Sequence, residues 1–112
     1  SDEALRTRLI GQWQEFRLLE CEGHQHFIKL EPDGSFEVNG VIHACDKKTP
    51  FVWRGNWYVK DGKFGYATTY SNPPDEYPVG ETFEDEIVSV TDSEWTMVEQ
   101  STGNKSIAFR IK

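Results

Sequence analysis

Four turn signals set the frame of this chain: Pro32-Asp33-Gly34, Asp61-Gly62, Asp92-Ser93 and Ser101-Thr102-Gly103-Asn104. In the first, proline fixes φ and glycine supplies positive φ. The second is a two-residue hairpin signal. Between the turns lie short segments in which apolar and polar side chains alternate, the period of a strand. With Glu22-Gly23 as a further turn, eight strands are expected over 10–20, 24–31, 35–42, 51–60, 63–70, 82–90, 94–100 and 105–111. Loops are expected over 44–50 and 71–80, the second holding Pro73, Pro74 and Pro78, which forbid helix and interior strand.

A short helix over 2–9 precedes the strands. Asp2 and Glu3 suit its positive end, and Leu5 and Leu9 share one face. Gly11 then lets the chain turn into the first strand with close backbone approach, and Trp13 begins the core. Eight short strands joined mainly by hairpin-length turns favour an all-β, antiparallel up-and-down barrel, because closure removes the exposed edges. The 112 residues suit one domain, 1–112.

Alternating strand direction makes this barrel two-ended. The turns at 32–34, 61–62 and 92–93 share the end where the helix enters, and all are tight. The expected loops 44–50 and 71–80 share the other end, so binding residues are expected there. The faces in phase with Trp13 give a dry floor of Trp13, Leu30, Phe36, Val59, Phe64 and Ile111, with Trp57 a further structural residue and Ile107 and Phe109 turned inward. Phe16 and Leu18 are the alternative inward pair on the first strand. The polar, aromatic mouth is expected to contain Glu15, Arg17, His26, Trp53, Tyr66, Thr68 and Tyr70, with Tyr77 from the long loop. The strand over 82–90 offers two faces: Glu84 and Glu86 are taken as ligand-binding, and Phe83, Asp85 and Ile87 form the other, with a bulge reconciling them.

The net charge is −7, which disfavours nucleic acid and anionic membranes as partners and allows a cationic ligand or a basic protein. No apolar run is long enough for a membrane span. Cys21 and Cys45 end strands that both neighbour the second strand, at the open rim. A disulfide there is expected and implies an oxidising compartment; two separate thiols in a cytoplasmic protein is the alternative. His24 and His26 share a strand face, a spacing that can chelate a metal, with His43 nearby in the opposite phase. No acidic ligand is fixed beside them by spacing, so neither a metal nor another cofactor is expected. Glu84, Asp85 and Glu86 with Glu15 offer paired carboxylates for acid–base work, against the plainer role of facing water. No nucleophile elbow, phosphate loop or metalloprotease motif is present.

The chain resembles the bacterial lipocalin-like domains of the calycin superfamily. The resemblance rests on Leu9-Ile10-Gly11-Gln12-Trp13, on the run from Phe27 to Phe36, on the run from Gly55 to Phe64, on Pro78-Val79-Gly80, on the run from Ile87 to Trp95 and on the closing stretch from Gly103 to Ile111. It implies a small up-and-down barrel, often secreted or lipid-anchored in the bacterial envelope. The group's biochemical role is mostly unassigned. Ser1-Asp2-Glu3 at the start suggests a removed leader, hence periplasmic or secreted, and a chain stopping at Lys112 suggests a modest cavity. The expected function is non-enzymatic binding of a small hydrophobic or amphipathic ligand at the open end. The alternative is a protein–protein module acting through 1–6 or the rim, because the chain is also similar in outline to the small bacterial metalloprotease inhibitors.

Overall fold

The computed structural model describes residues 1–111. Helix α1 (Asp2–Leu9) is capped by Ser1, whose side chain accepts the Ala4 N–H. Eight strands follow: β1 (Gly11–Leu19), β2 (Glu22–Leu30), β3 (Ser35–Ala44), β4 (Lys47–Lys60), β5 (Lys63–Asn72), β6 (Thr82–Val90), β7 (Glu94–Val98) and β8 (Lys105–Arg110). Each pairs antiparallel with the next and β8 pairs back onto β1, so the sheet closes into the expected barrel. The β4–β5 turn has positive φ at both Asp61 and Gly62, the backbone of a two-residue hairpin whose twist matches its strands.

The helix closes the end that carries the tight turns, and it is tied to each of them. Arg6 donates to the Pro32 carbonyl in the β2–β3 turn at 2.8 Å. The Asp2 carboxylate accepts the Asp61 and Gly62 N–H groups at 2.9 and 3.0 Å. Arg8 donates to the Val90 carbonyl, at the β6–β7 turn, at 3.2 Å. Leu9 and Trp13 are fully buried, and the Trp13 indole N–H donates to the Leu9 carbonyl at 2.9 Å. The Arg110 guanidinium lies 4.2 Å over the Trp13 ring and donates to the Ile10 carbonyl. Trp57 supports the same end: its indole donates to the Glu31 carbonyl, and Arg6 covers its ring.

Three expectations change. The segment 44–50 is no loop. Ala44 pairs with Lys47 across a tight turn, and Pro50 sits in β4 opposite Val41. β4 pairs with β5 only from Val52 onward, so Pro50 lies on an edge, where its missing N–H costs no ladder bond. Secondly, two bulges shift strand phase. In β5 the register passes from Tyr70 to Thr68, leaving Thr69 extra, and in β6 it passes from Ile87 to Ser89, leaving Val88 extra. Thirdly, β8 faces the other way. Ala108 lies inward opposite Trp95, while Ile107 and Phe109 are exposed. The floor is already filled by Trp13 and Trp95, edge to face at 5.7 Å, so only a small residue fits between them and the β8 backbone. On β1 the alternative pair Phe16 and Leu18 is exposed.

Cys21 and Cys45 form a disulfide that joins the β1–β2 and β3–β4 turns at the open rim. It closes a loop with a sequence separation of 24. Reduction, or Cys21→Ser with Cys45→Ser, is expected to lower unfolding free energy by about 3 kcal/mol in denaturant titrations; an unchanged midpoint would show that the rim is held without it. Gly11 has φ +135°, and a Cβ there would meet Arg110 Nη1 at 2.8 Å. Gly11→Ala is therefore expected to cost about 1–3 kcal/mol by the same measurement, and a neutral result would contradict the close approach.

Candidate functional site

The upper barrel encloses a cavity of about 240 Å³. Its depth is set by the aromatic floor, and its height by strands that continue above that floor with smaller or polar inward residues. Of the expected site residues, Glu15, His26, Trp53, Tyr66, Thr68 and Tyr77 line it. Tyr77 reaches in from the β5–β6 loop, lies 4.3 Å from Trp53 with its ring tilted by 43°, and its hydroxyl is hydrogen-bonded to that of Tyr66 at 2.8 Å. His26 packs edge-on against the adjoining Phe51 and Trp53 rings, each at 5.2 Å.

Arg17, Tyr70, Glu84 and Glu86 do not line the cavity. Arg17 keeps the inward phase of β1 but lies above the cavity at the exposed end of the strand, opposite His24. Tyr70 is turned outward by the Thr69 bulge and is covered by the Arg54 guanidinium at 5.1 Å. Glu84 and Glu86 face away because Asp85 takes the inward position; Glu84 instead accepts the Tyr58 hydroxyl on the outside at 2.8 Å.

Asp85 is the main site residue that sequence reading left aside. It is 4% exposed, lines the cavity, and accepts the Gln100 N–H at 3.0 Å. Its phase with Phe83 and Ile87 was the available signal. His24, Glu99, Ser101 and Ser106 complete the polar lining among the described residues. Ser106 was hidden by the reversed face of β8.

Among the described residues, the lining contains the carboxylates of Glu15, Asp85 and Glu99 and no lysine or arginine. Burial pushes the Asp85 carboxyl up to about 6. Burial, aided by the neighbouring His24, pushes the His26 imidazole down to about 4, so this ring is neutral near neutral pH. Burial likewise raises the Tyr66 and Tyr77 hydroxyls, which stay protonated. Among the described residues, four buried polar atoms on the lining side chains have no partner: Trp53 Nε1, Thr68 Oγ1, Trp95 Nε1 and Ser106 Oγ. Such atoms favour an occupant that can hydrogen-bond to them.

The Asp85 shift has a defined sign in stability. The folded protein keeps a proton that the unfolded chain, at the ordinary value of 3.8, releases as pH rises from about 4 to 6. Asp85 therefore lowers stability progressively across that window and fully above it. His26 acts in the opposite direction but is common to both proteins in a comparison. The melting temperature of Asp85→Asn relative to the unchanged protein is expected to climb from pH 4 to pH 7, by the equivalent of about 1–2 kcal/mol. A difference that stays flat with pH would show that Asp85 ionises normally.

No protein-family model matches the chain, and no curated protein does. Among solved structures the chain is similar to a lipocalin-like protein from Bacteroides uniformis, with a TM-score of 0.60 at 17% identity, over 93% of this chain and 99% of that one. At that identity the likeness concerns architecture: the protein has a lipocalin-like fold, a closed eight-stranded antiparallel barrel with one short N-terminal helix.

Proposed function

We propose that this is a non-enzymatic binding protein that takes a small, partly apolar molecule of neutral or positive charge into the open end of its barrel. The carrying observation is a cavity floored and walled by aromatic rings whose ionisable groups are carboxylates and histidines, with no basic side chain among the described lining residues. An anionic lipid headgroup would meet uncompensated negative charge there, whereas a cation gains both from the carboxylates and from the faces of Trp53 and Tyr77. The cavity is small. A cavity of ~150 Å³ takes benzene, so one of 240 Å³ suits a ligand of about ten non-hydrogen atoms. The unpartnered Trp53 and Trp95 indole N–H groups are donors for an acceptor on it.

The disulfide favours an oxidising, extracytoplasmic setting, and among the described residues no helix is long and apolar enough to cross a membrane. We read the protein as periplasmic or secreted. The second reading, a protein–protein module, is favoured by the exposed Phe16, Leu18, Ile107 and Phe109 on adjacent strands β1 and β8. A free N-terminal arm does not fit that reading, since Asp2 and Arg6 are bound to barrel turns.

The discriminating experiment is a fluorescence and native-mass titration with a small aromatic amine, a neutral aromatic alcohol and a medium-chain fatty acid. One-to-one binding of the amine or alcohol is expected, weakened at least tenfold, about 1.4 kcal/mol, by Trp53→Ala. Saturable binding of the fatty acid alone would overturn the reading, and binding of none of the three would count for the protein-partner alternative.

A further inference from the structure

Glu15, His24 and His26 form a cluster that sequence spacing could not assemble. His24 and His26 are two apart on β2 and both point inward; the register places Glu15 of β1 directly opposite His26. The two imidazoles stack with centroids 4.1 Å apart and planes at 22°. Glu15 Oε1 lies 3.4 Å from His24 Nε2, and one donor atom from each of the three residues falls within 4.8 Å of the others. We propose that these three side chains form a binding site for a divalent first-row transition ion, zinc in the first instance, at the mouth of the barrel.

The donor chemistry fits such an ion. Two neutral imidazoles and one carboxylate suit zinc and its neighbours, whereas calcium and magnesium take oxygen donors. With metal–ligand bonds of about 2.0–2.1 Å, tetrahedral donors stand about 3.3 Å apart. The Glu15–His24 pair already has that separation, and side-chain rotations bring in the third donor from within 4.8 Å. All three residues are half-buried, so they are shielded without being sealed off. The ring of His26 rests edge-on against Phe51 and Trp53, which keeps it within the mouth. Asp85 and Glu99 add negative charge to the same cavity and no lysine or arginine opposes it among the described lining residues. Three protein ligands would leave at least one coordination position, and all three residues line the cavity. This is the pattern of a metal open to an exogenous ligand rather than a closed structural site. The proposal is independent of the apolar-ligand reading, since it needs only the three donors.

The test is a zinc titration of chelator-stripped protein, followed by a competing chromophoric chelator and by the zinc-dependent shift in melting temperature, with cobalt as a spectroscopic probe. The unchanged protein is expected to bind one zinc with micromolar or tighter affinity. Cobalt should give the intense visible bands of a four- or five-coordinate centre. Glu15→Gln and His24→Gln, each checked for an unchanged fold by circular dichroism, are expected to weaken zinc at least tenfold and to abolish the thermal shift. His43→Gln, on the outer face of β3, should leave both unchanged. The proposal is overturned if binding is not saturable up to millimolar zinc, if both cluster variants bind as the unchanged protein does, or if only His43→Gln loses the ion.

Discussion

The hydrogen bond from the Trp13 indole to the Leu9 carbonyl ties the helix to the barrel, and the rest of the arrangement depends on it. Trp13 is the first inward residue of β1, and Leu9 is the last residue of the helix. The bond is buried, so breaking it leaves both groups without partners, and Arg110 covers the ring on its other side. Once the helix is fixed there, Asp2, Arg6 and Arg8 each reach a different turn. One end of the barrel is thereby closed by a single element, with Trp13 and Trp95 filling the space above it. The cavity lies toward the other end.

That closure decides where polar residues can sit. Below the level of Phe36 and Phe64 the interior is aromatic and aliphatic. Above it, inward positions fall to Glu15, His26, Thr68, Asp85 and Ser106. Burying these groups costs free energy unless each finds a partner, and several do: Tyr66 with Tyr77, Asp85 with the Gln100 N–H. Others find none among the described residues, and these unpartnered groups, with the raised Asp85 carboxyl, cost the folded protein stability. The disulfide holds the rim above them, joining two turns that the barrel alone leaves free.

Much of this was legible in the residues. Turn chemistry at Pro32-Asp33-Gly34 and Asp61-Gly62 is local, so the strand count, the meander and the two-ended character could be read directly. The pairing of Cys21 with Cys45 followed from strand adjacency. What was not legible depends on a shift of one residue. Thr69 and Val88 are ordinary strand residues, yet as bulges they turn Tyr70 outward and let both Asp85 and Val90 face inward. On β8 the apolar pattern pointed to Ile107 and Phe109, whereas packing against Trp95 required Ala108. Pro50 looked like a loop residue because edge position is a property of the sheet and not of the local sequence. The Glu15–His24–His26 cluster is of the same kind, since only the β1–β2 register brings the carboxylate to the histidines.

One end of the barrel is sealed by the helix and the other is open to solvent. Hydrogen exchange of the four indole N–H groups, resolved in a ¹⁵N correlation spectrum, reports it most directly. The Trp13 indole, bound to Leu9 beneath the floor, is expected to exchange only on global unfolding, while that of Trp53, on the cavity wall and without a partner among the described residues, is expected to exchange orders of magnitude faster. Equal rates for the two, or faster exchange at Trp13, would contradict it.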